Sequence, residues 1–412
     1  MNALSIFWIF LKLGCTSFGG PIAHLAYFRQ TFVKKLDWFS ESEYGHLLSI
    51  CQLIPGPASS QVGFSIGLLR GGWIGAILAF IGFTLPSVLL LLIFANSLYL
   101  LDSTLGNGML QGLAILAFIV VLQAVLGMGK QLLTSVLFWI LALAVFTLVL
   151  MTSSMVFHVA SIAICAILSA LLSSENPASQ TKSENFFSSA KNYLPSRRLS
   201  LFASMIFVLF AVLFVIAPQD LGQFSYAHGS PFFLSGATVF GGGHVVLPFL
   251  EHSTVAQGLI TENTFLAGYG ATQAVPGPMF SFAAYLGYTI DINEQLVSGS
   301  QRIELFSALS SAILATLYLF LPGFLLIIAV LPISQKLVTY PKIRKAFDGA
   351  NAAVVGLLAA TLYDPIFTHA IRHNFDLAIA AIGFVALTKL KIPVLAVVVL
   401  CVLLKGLEAV YT

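Results

Sequence analysis

Apolar stretches of about 20 residues follow one another along almost the whole chain, and about 20 is the length an α-helix needs to cross the hydrocarbon core of a bilayer. Thirteen stretches qualify as candidates, centred near residues 12, 56, 84, 118, 141, 164, 209, 240, 276, 320, 355, 380 and 401. Charged residues make up only 8% of the 412 positions, against about a quarter in a soluble domain. With a mean hydropathy of +0.96, the chain needs lipid against its outer face rather than one large core in water. The expected fold class is an all-α membrane protein of about 13 transmembrane helices. The net charge of +3 is small and scattered, which excludes a nucleic-acid partner. Cys15, Cys51, Cys165 and Cys401 sit in apolar stretches without metal or redox spacing, so buried free thiols are expected. The first apolar run begins at Ala3 with no basic segment before it and no small-residue cleavage pattern after it; it reads as a retained helix.

One segment breaks the pattern. Residues 174–199 are polar, Ser-rich and interrupted by Pro, the composition of a linker. The sequence repeats across it. Gly14-Cys-Thr-Ser-Phe18-Gly19-Gly20 returns as Gly236-Ala-Thr-Val-Phe240-Gly241-Gly242, and Gln52-Leu-Ile-Pro55-Gly56-Pro57 returns as Gln273-Ala-Val-Pro276-Gly277-Pro278. Pro86 then pairs with Pro322, and Gly112 with Gly349, in the same order. The expected organisation is a first repeat over 1–173, a linker with a connecting helix over 174–229, and a second repeat over 230–412.

Six spans in each half plus one connecting helix make an odd number before the second half begins. That half then enters from the opposite face, giving two inverted-topology repeats, an architecture of many secondary transporters. Lys and Arg favour the cytoplasmic side, and they divide unevenly between alternate loops. The side of the amino terminus holds Arg70, Lys130, Lys182, Lys191, Arg197, Arg198, Lys336, Lys342, Arg344, Lys345, Lys389 and Lys391. The other side holds Arg29, Lys34, Lys35, Arg302 and Arg372. The amino terminus is thus expected in the cytoplasm. Arg29, Lys34 and Lys35 oppose that orientation unless they belong to a half-buried or re-entrant segment.

The Gly and Pro clusters inside apolar spans carry the chemistry. Pro removes a backbone donor and clashes with the preceding turn, and freed backbone groups at membrane depth are tolerated only inside protein or beside a water-filled cavity. Interrupted segments at matching places in two halves point to a binding site near the midplane. Helices that restart after such breaks offer free N–H groups and a positive dipole end, which favour an anion. Pro21 and Pro57 suit a first helical turn. Hydroxyls and amides stand nearby: Thr16, Ser17, Ser59, Ser60, Gln61, Thr238 and Ser281, with Gln52 and Gln273 three residues before the Pro-Gly-Pro sequences. Such donors suit a tetrahedral dianion; the rival reading is that Gly and Pro only permit tight packing. Lys12, in the first span, either attracts an anion, or snorkels to the surface or pairs with an acid. His24 and His244 follow the Phe-Gly-Gly motifs and either donate to the ligand, relay protons or pack. Glu41 and Glu262, each after a Ser or Thr, mark helix starts. The candidate binding set is Lys12, Ser17, Phe18, Gly19, Gly20, His24, Gln52, Pro55, Gly56, Pro57, Ser59, Thr238, Phe240, Gly241, Gly242, His244, Gln273, Pro276, Gly277 and Pro278.

Phe18-Gly19-Gly20-Pro21 with His24, then Gln52 to Pro57, Gly67 and Pro86, resembles the chromate ion transporter family, and the stretch from Phe240 to Pro322 resembles that family's second domain. The second copy has Gly243 in place of Pro21, so its local turn is expected to differ. The resemblance implies export of chromate, or of a related oxyanion such as sulfate, across a bacterial inner membrane. It also implies an ion gradient as the driving force, with a proton as one candidate coupling ion, and it is compatible with a homodimer. The alternatives are an anion channel or a transporter of a different small anion. No His-Glu-x-x-His, Walker-type or clustered His/Asp pattern occurs, so neither an enzyme nor a metal or other cofactor is expected. Asp364, His369, Arg372 and His373 read as a wet surface loop.

Overall fold

The computed structural model describes residues 2–98, 103–152, 154–172, 194–216, 229–240, 242–299, 304–334 and 340–411, all organised by helices. Most of the predicted linker, and Gly241 of the candidate set, lie outside the described residues. The first half contains α1 (Ala3–Thr16), α2 (Gly20–Phe28, continued by a π-helical stretch Arg29–Lys35), α3 (Glu41–Leu53), α4 (Ala58–Ser97), α5 (Thr104–Leu132), α6 (Val136–Met151) and α7 (Met155–Leu172). Then come α8 (Arg197–Ile216), α9 (Gly229–Ala237), α10 (Val246–Thr254), α11 (Glu262–Ala274), α12 (Phe282–Val297), α13 (Leu305–Val330), α14 (Pro341–Thr361), α15 (Asn374–Thr388) and α16 (Val394–Tyr411).

Among the described residues, six helices are long and apolar enough to cross a membrane: Ala58–Ser97, Thr104–Leu132, Arg197–Phe214, Leu305–Ile333, Pro341–Ala370 and Val394–Tyr411. Ala3–Thr16, Val136–Met151, Val156–Leu172 and Asn374–Thr388 are shorter apolar helices. Apolar side chains such as Trp8, Ile74, Ile93, Trp139, Phe202 and Phe306 point outward, as a lipid-facing surface requires. The chain is a multi-pass membrane protein.

The Gly/Pro breaks account for the difference from thirteen continuous spans. They cut the first, second, eighth and ninth candidates into arms of 9 to 16 residues, and at about 1.5 Å per residue a 14-residue arm falls well short of ~30 Å. In the first half these arms fold back. Ile6 of α1 lies by Gly75 and Gly14 lies by Phe83, so α1 runs parallel to the second arm of α4. After the break, α2 returns beside α1: Phe10 packs on Phe28 and Phe32 with ring centroids 5.7 and 5.1 Å apart. The chain then reaches the start of α3, where Arg29 and Lys34 bind the Glu41 carboxylate at 2.8 and 2.6 Å. These two cations pull the Glu41 carboxyl down to about 2. Arg70, just before the α4 bend, sits 4.8 Å from the Phe39 ring centroid. The bend itself is Gly72, with φ 63° and ψ −157°. Residues 29–41 and 70–75 therefore share one end of the molecule with the start of α1.

The order of elements in residues 3–172 returns in residues 229–411, with the two arms of α4 standing where α12 and α13 stand later. Packing follows the same order. Gly14 faces the Phe83 carbonyl of α4, and Gly236 faces Leu319 of α13. Across the halves, Gly112 of α5 lies against Cys401 of α16, while Gly349 of α14 lies against Cys165 of α7. In each case glycine lets one helix backbone touch the next, as small residues do between membrane helices. Cys51, Cys165 and Cys401 are buried free thiols as expected, but Cys15 is exposed, because it lies on the outward face of α1. Ser40 caps α3, forming a capping box with Glu43 rather than Glu41, and Thr261 caps α11.

A Cβ on Gly112 would stand 2.7 Å from the Cys401 carbonyl oxygen, whereas Gly127 has nothing within 4 Å. Gly112→Leu is therefore expected to lower the melting temperature of the detergent-solubilised protein by an overpacking cost of about 1–3 kcal/mol, with Gly127→Leu close to the parent.

Candidate functional site

The four breaks meet across the halves through their backbones. Gly56 N–H donates to the Val239 carbonyl at 2.8 Å, and Gly277 N–H donates to the Ser17 carbonyl at 2.9 Å. Gly56 and Gly277 are the central residues of the two Pro-Gly-Pro sequences; Ser17 and Val239 each precede the Phe of a Phe-Gly motif. The contact is thus reciprocal, each half's Pro-Gly-Pro donating to the other half's first break. The third member of each crossing is the helix carrying the internal Pro. A Cβ on Gly56 would come within 2.8 Å of the Gly323 Cα, next to Pro322; one on Gly277 would come within 3.0 Å of Ser87 Oγ, next to Pro86. Gly56 has φ 126° and Gly277 φ 102°, a region that side chains with a Cβ rarely enter. Close approach and backbone conformation both demand glycine at these two positions.

The two crossings differ in their side chains. Around Gly277, Ser87 Oγ and Ser281 Oγ are 2.6 Å apart, and Ser87 also donates to the Thr84 carbonyl. Ser17 and His24 are buried here, with His24 edge-on to Phe83 at 5.4 Å. Ser17 Oγ and Thr84 Oγ1 are buried with no hydrogen-bond partner. Around Gly56, Gln61 Nε2 donates to the carbonyls of Pro55 and Gly323 at 2.9 and 3.1 Å. Ser60 Oγ is buried and unpartnered there, as is Gln273 Nε2 near the other Pro-Gly-Pro. An orphaned buried donor costs about 1–3 kcal/mol, so a group of them marks a place where a partner can bind.

Some helix starts carry a side-chain cap and others do not, the uncapped ones including α13 and α14. α1, α3, α5, α6 and α11 are capped by the side chains of Asn2, Ser40, Ser103, Ser135 and Thr261. The starts that follow Gly19, Pro57, Gly242 and Pro278 carry no side-chain cap, leaving first-turn N–H groups without that acceptor. Pro21 lies in the first turn of α2 as expected, while Pro57 stands one position earlier, at the cap of α4. Where Gly243 replaces Pro21, the helix begins with a 3-10 turn over Gly243–Val245.

Among the other predicted residues, Pro55, Gly56, Pro57, Ser59, Pro276, Gly277 and Pro278 join the buried or part-buried centre. Thr238 bonds within its own helix turn, to the Leu234 carbonyl. Phe240 is half-buried, 6.1 Å from the Phe347 ring centroid. His244 is held by Tyr269, Nδ1 to hydroxyl 2.5 Å. Gly19 and Gly20 take left-handed φ values of 100° and 77°, and Gly242 is extended at φ 171°. Lys12, Phe18, Gly19 and Gln52 stand exposed rather than among the buried donors. Lys12 lies on the outward face of α1, and Gln52 on the outward face of α3. Thr84, Ser87 and Gly323, absent from the predicted set, are central. The matching Pro86 and Pro322 were the signal that locates them. Asp364, Arg372 and His373 are exposed, as read from sequence. Among the described residues no group of three or more His, Cys, Asp or Glu side chains could hold a metal ion.

A multi-pass helical protein with matched helix breaks joined across two halves belongs to the transporter class of architectures. The chromate transporter family matches residues 4–172 and 228–406, and the chain belongs to that family, one of transporters rather than enzymes. A chromate transport protein of Pseudomonas aeruginosa is 25% identical over 377 residues, covering 88% of this chain and 81% of its own. A probable chromate transport protein of Synechococcus elongatus is 28% identical, covering 86% and 82%. A chromate transport protein of Cupriavidus metallidurans is 25% identical, covering 86% and 80%. No solved structure matches the chain.

The geometry separates the glycines. Gly20→Asn is expected to keep transport, since Asn tolerates left-handed φ and nothing lies within 4 Å of a Cβ there. Gly56→Asn and Gly56→Leu are expected to abolish it with membrane insertion intact, read as vesicle flux against the amount of inserted protein.

Proposed function

We propose that this protein is a secondary transporter that exports chromate, or a closely related tetrahedral oxyanion such as sulfate, from the bacterial cytoplasm, driven by an ion gradient. The observation that carries the site is the reciprocal pair of backbone bonds at the breaks, with buried donors lacking partners beside it. Ser17 Oγ, Thr84 Oγ1 and Ser60 Oγ, together with uncapped first-turn N–H groups, can give hydrogen bonds to a dianion without a full countercharge. Ser87, Ser281, His24 and Gln273 complete the polar surroundings, and the glycines let the backbone approach. A site of neutral donors binds strongly enough to select an anion while allowing its release.

The topology we propose has four crossings in each half: the second arm of α4, then α5, α6 and α7, and later α13, α14, α15 and α16. With α8 between them the second half enters inverted. The paired arms α1/α2, α3/α4, α9/α10 and α11/α12 are re-entrant hairpins that bring the breaks to the midplane. A reciprocal contact between equivalent residues is what a two-fold relation produces. This arrangement removes the conflict in the charge distribution. Arg29, Lys34 and Lys35 then share a side with Arg70, Lys130, Arg197, Arg198, Lys342, Arg344, Lys345, Lys389 and Lys391, and Arg372 alone of the described loop cations faces away. By the positive-inside rule the shared side, with the amino terminus, is cytoplasmic.

The test is chromate uptake into everted membrane vesicles, with and without a proton gradient, and with sulfate as competitor. Gradient-dependent uptake is expected, reduced by sulfate. Thr84→Ala and Ser17→Ala are each expected to lower it about tenfold, the effect of losing one hydrogen bond to a charged group. Absence of chromate flux from correctly inserted protein would overturn the substrate; gradient-independent flux would overturn the coupling.

A further inference from the structure

The two helices that lead into the Pro-Gly-Pro breaks occupy equivalent places, yet they are packed differently. α11 is closed against its neighbour. Leu266 and Gly270 are buried, and the Leu113 carbonyl of α5 lies directly on Gly270. At its start, Asn263 Oδ1 accepts from Arg372 at 2.7 Å. Gln111 of α5 donates to the carbonyls of His369 and Ala370 at 3.2 and 2.8 Å. Asn107, Gln111, Ala114, Asn263 and Arg372 line a single cavity of about 320 Å³ at this mouth. The other groups facing it belong to α15 and α16, where Lys405 binds Asp376 and Glu408.

On α3 the corresponding face is bare. Ser42, Gly45, Ser49 and Gln52 align at helical spacing, all exposed, from the first turn to the break, and a Cβ on Gly45 would meet nothing within 4 Å. Their counterparts 221 residues later are Asn263, Leu266, Gly270 and Gln273. The opposite face of α3 is anchored, with Tyr44 donating to the Leu25 carbonyl at 2.7 Å. The surface equivalent to the α5 face lies on α14. Arg344, Asp348 and Asn351 stand 237 residues after Asn107, Gln111 and Ala114, with Arg344 and Asp348 exposed and Asn351 half-buried.

We infer that α3 is a gate, open in this structure, that closes onto the 344–351 face of α14 in the way α11 is closed onto α5. The structure is then the state open towards the side of the amino terminus, and the opposite state is reached by exchanging the two packings. Small residues at 45 and 49 allow the close approach that Gly270 already makes on the other side. Arg344 at the open mouth favours arrival of an anion, and closure brings Ser42 to the Asp348 position, as Asn263 shares a cavity with Gln111. The inference rests on the two-sided transport reading, but its test reads the gate by geometry.

The test uses the full chain with its four native cysteines replaced by alanine, shown first to transport, and with a protease site inserted in the polar linker. Ser42→Cys and Asp348→Cys are introduced together and treated in membranes with a short reducible bifunctional thiol reagent. The expected result is that the two halves stay joined after protease cleavage, that chromate flux falls at least tenfold in the joined protein, and that a reductant restores it. Ser49→Trp is expected to insert and melt like the parent, since Ser49 is exposed here, yet lose flux by blocking closure. Two thiols that each react with a monofunctional reagent but never join would overturn the gate; so would joined protein that transports at the parent rate. If the parent moves no chromate or sulfate, the transport reading fails, while the yield of joined halves still decides the gate.

Discussion

The structure depends on a constraint that lipid imposes. A backbone N–H or C=O freed inside an apolar span must find a partner within the protein or in a water-filled cavity, because the lipid supplies none. This chain frees such groups at four places, and it satisfies two of the most central by crossing the halves: Gly56 to Val239 and Gly277 to Ser17. Neither half can satisfy its own Pro-Gly-Pro amide in this arrangement. The same reciprocity recurs further out, where Gly112 meets the Cys401 region and Gly349 meets the Cys165 region. The halves are therefore parts of one packed unit, and the breaks are held at its centre rather than at its edges.

That centre is where anion chemistry becomes possible. Glycine at positive φ leaves the backbone accessible, and helix starts without side-chain caps leave donors to spare. The hydroxyls of Ser17, Thr84 and Ser60 are buried without partners. A protein interior normally avoids this combination. The binding role we propose would give partners to the hydroxyls beside the two crossings.

Much of the architecture was legible in the sequence. The repeat, the two Pro-Gly-Pro sequences and the Phe-Gly motifs could be read directly, because Gly and Pro act locally on the backbone. The altered start at Gly243 followed from the missing Pro, and it is a 3-10 turn. The return of α2 alongside α1 was not legible from hydropathy: a window that spans the break adds two short apolar arms into one apparent span. Arg29, Lys34 and Lys35 carried the missing signal, since three cations on the wrong side are explained by a chain that turns back. Thr84, Ser87 and Gly323 escaped the candidate set because they belong to a continuous helix and reach the breaks only through packing. Lys12 and Gln52 stand on exposed faces, which helical position alone could not tell.

The central claim is that the breaks lie at the tips of hairpins, so that both ends of each hairpin open on one side. It is tested most directly by the sidedness of single cysteines at positions 35, 70 and 372, in a chain freed of its native cysteines. A membrane-impermeant thiol reagent would be applied to everted and to right-side-out vesicles. The account predicts that Lys35→Cys and Arg70→Cys react in everted vesicles and Arg372→Cys in right-side-out ones. Reaction of Lys35→Cys from the same side as Arg372→Cys would make α1 and α2 a single broken span and contradict the hairpin arrangement.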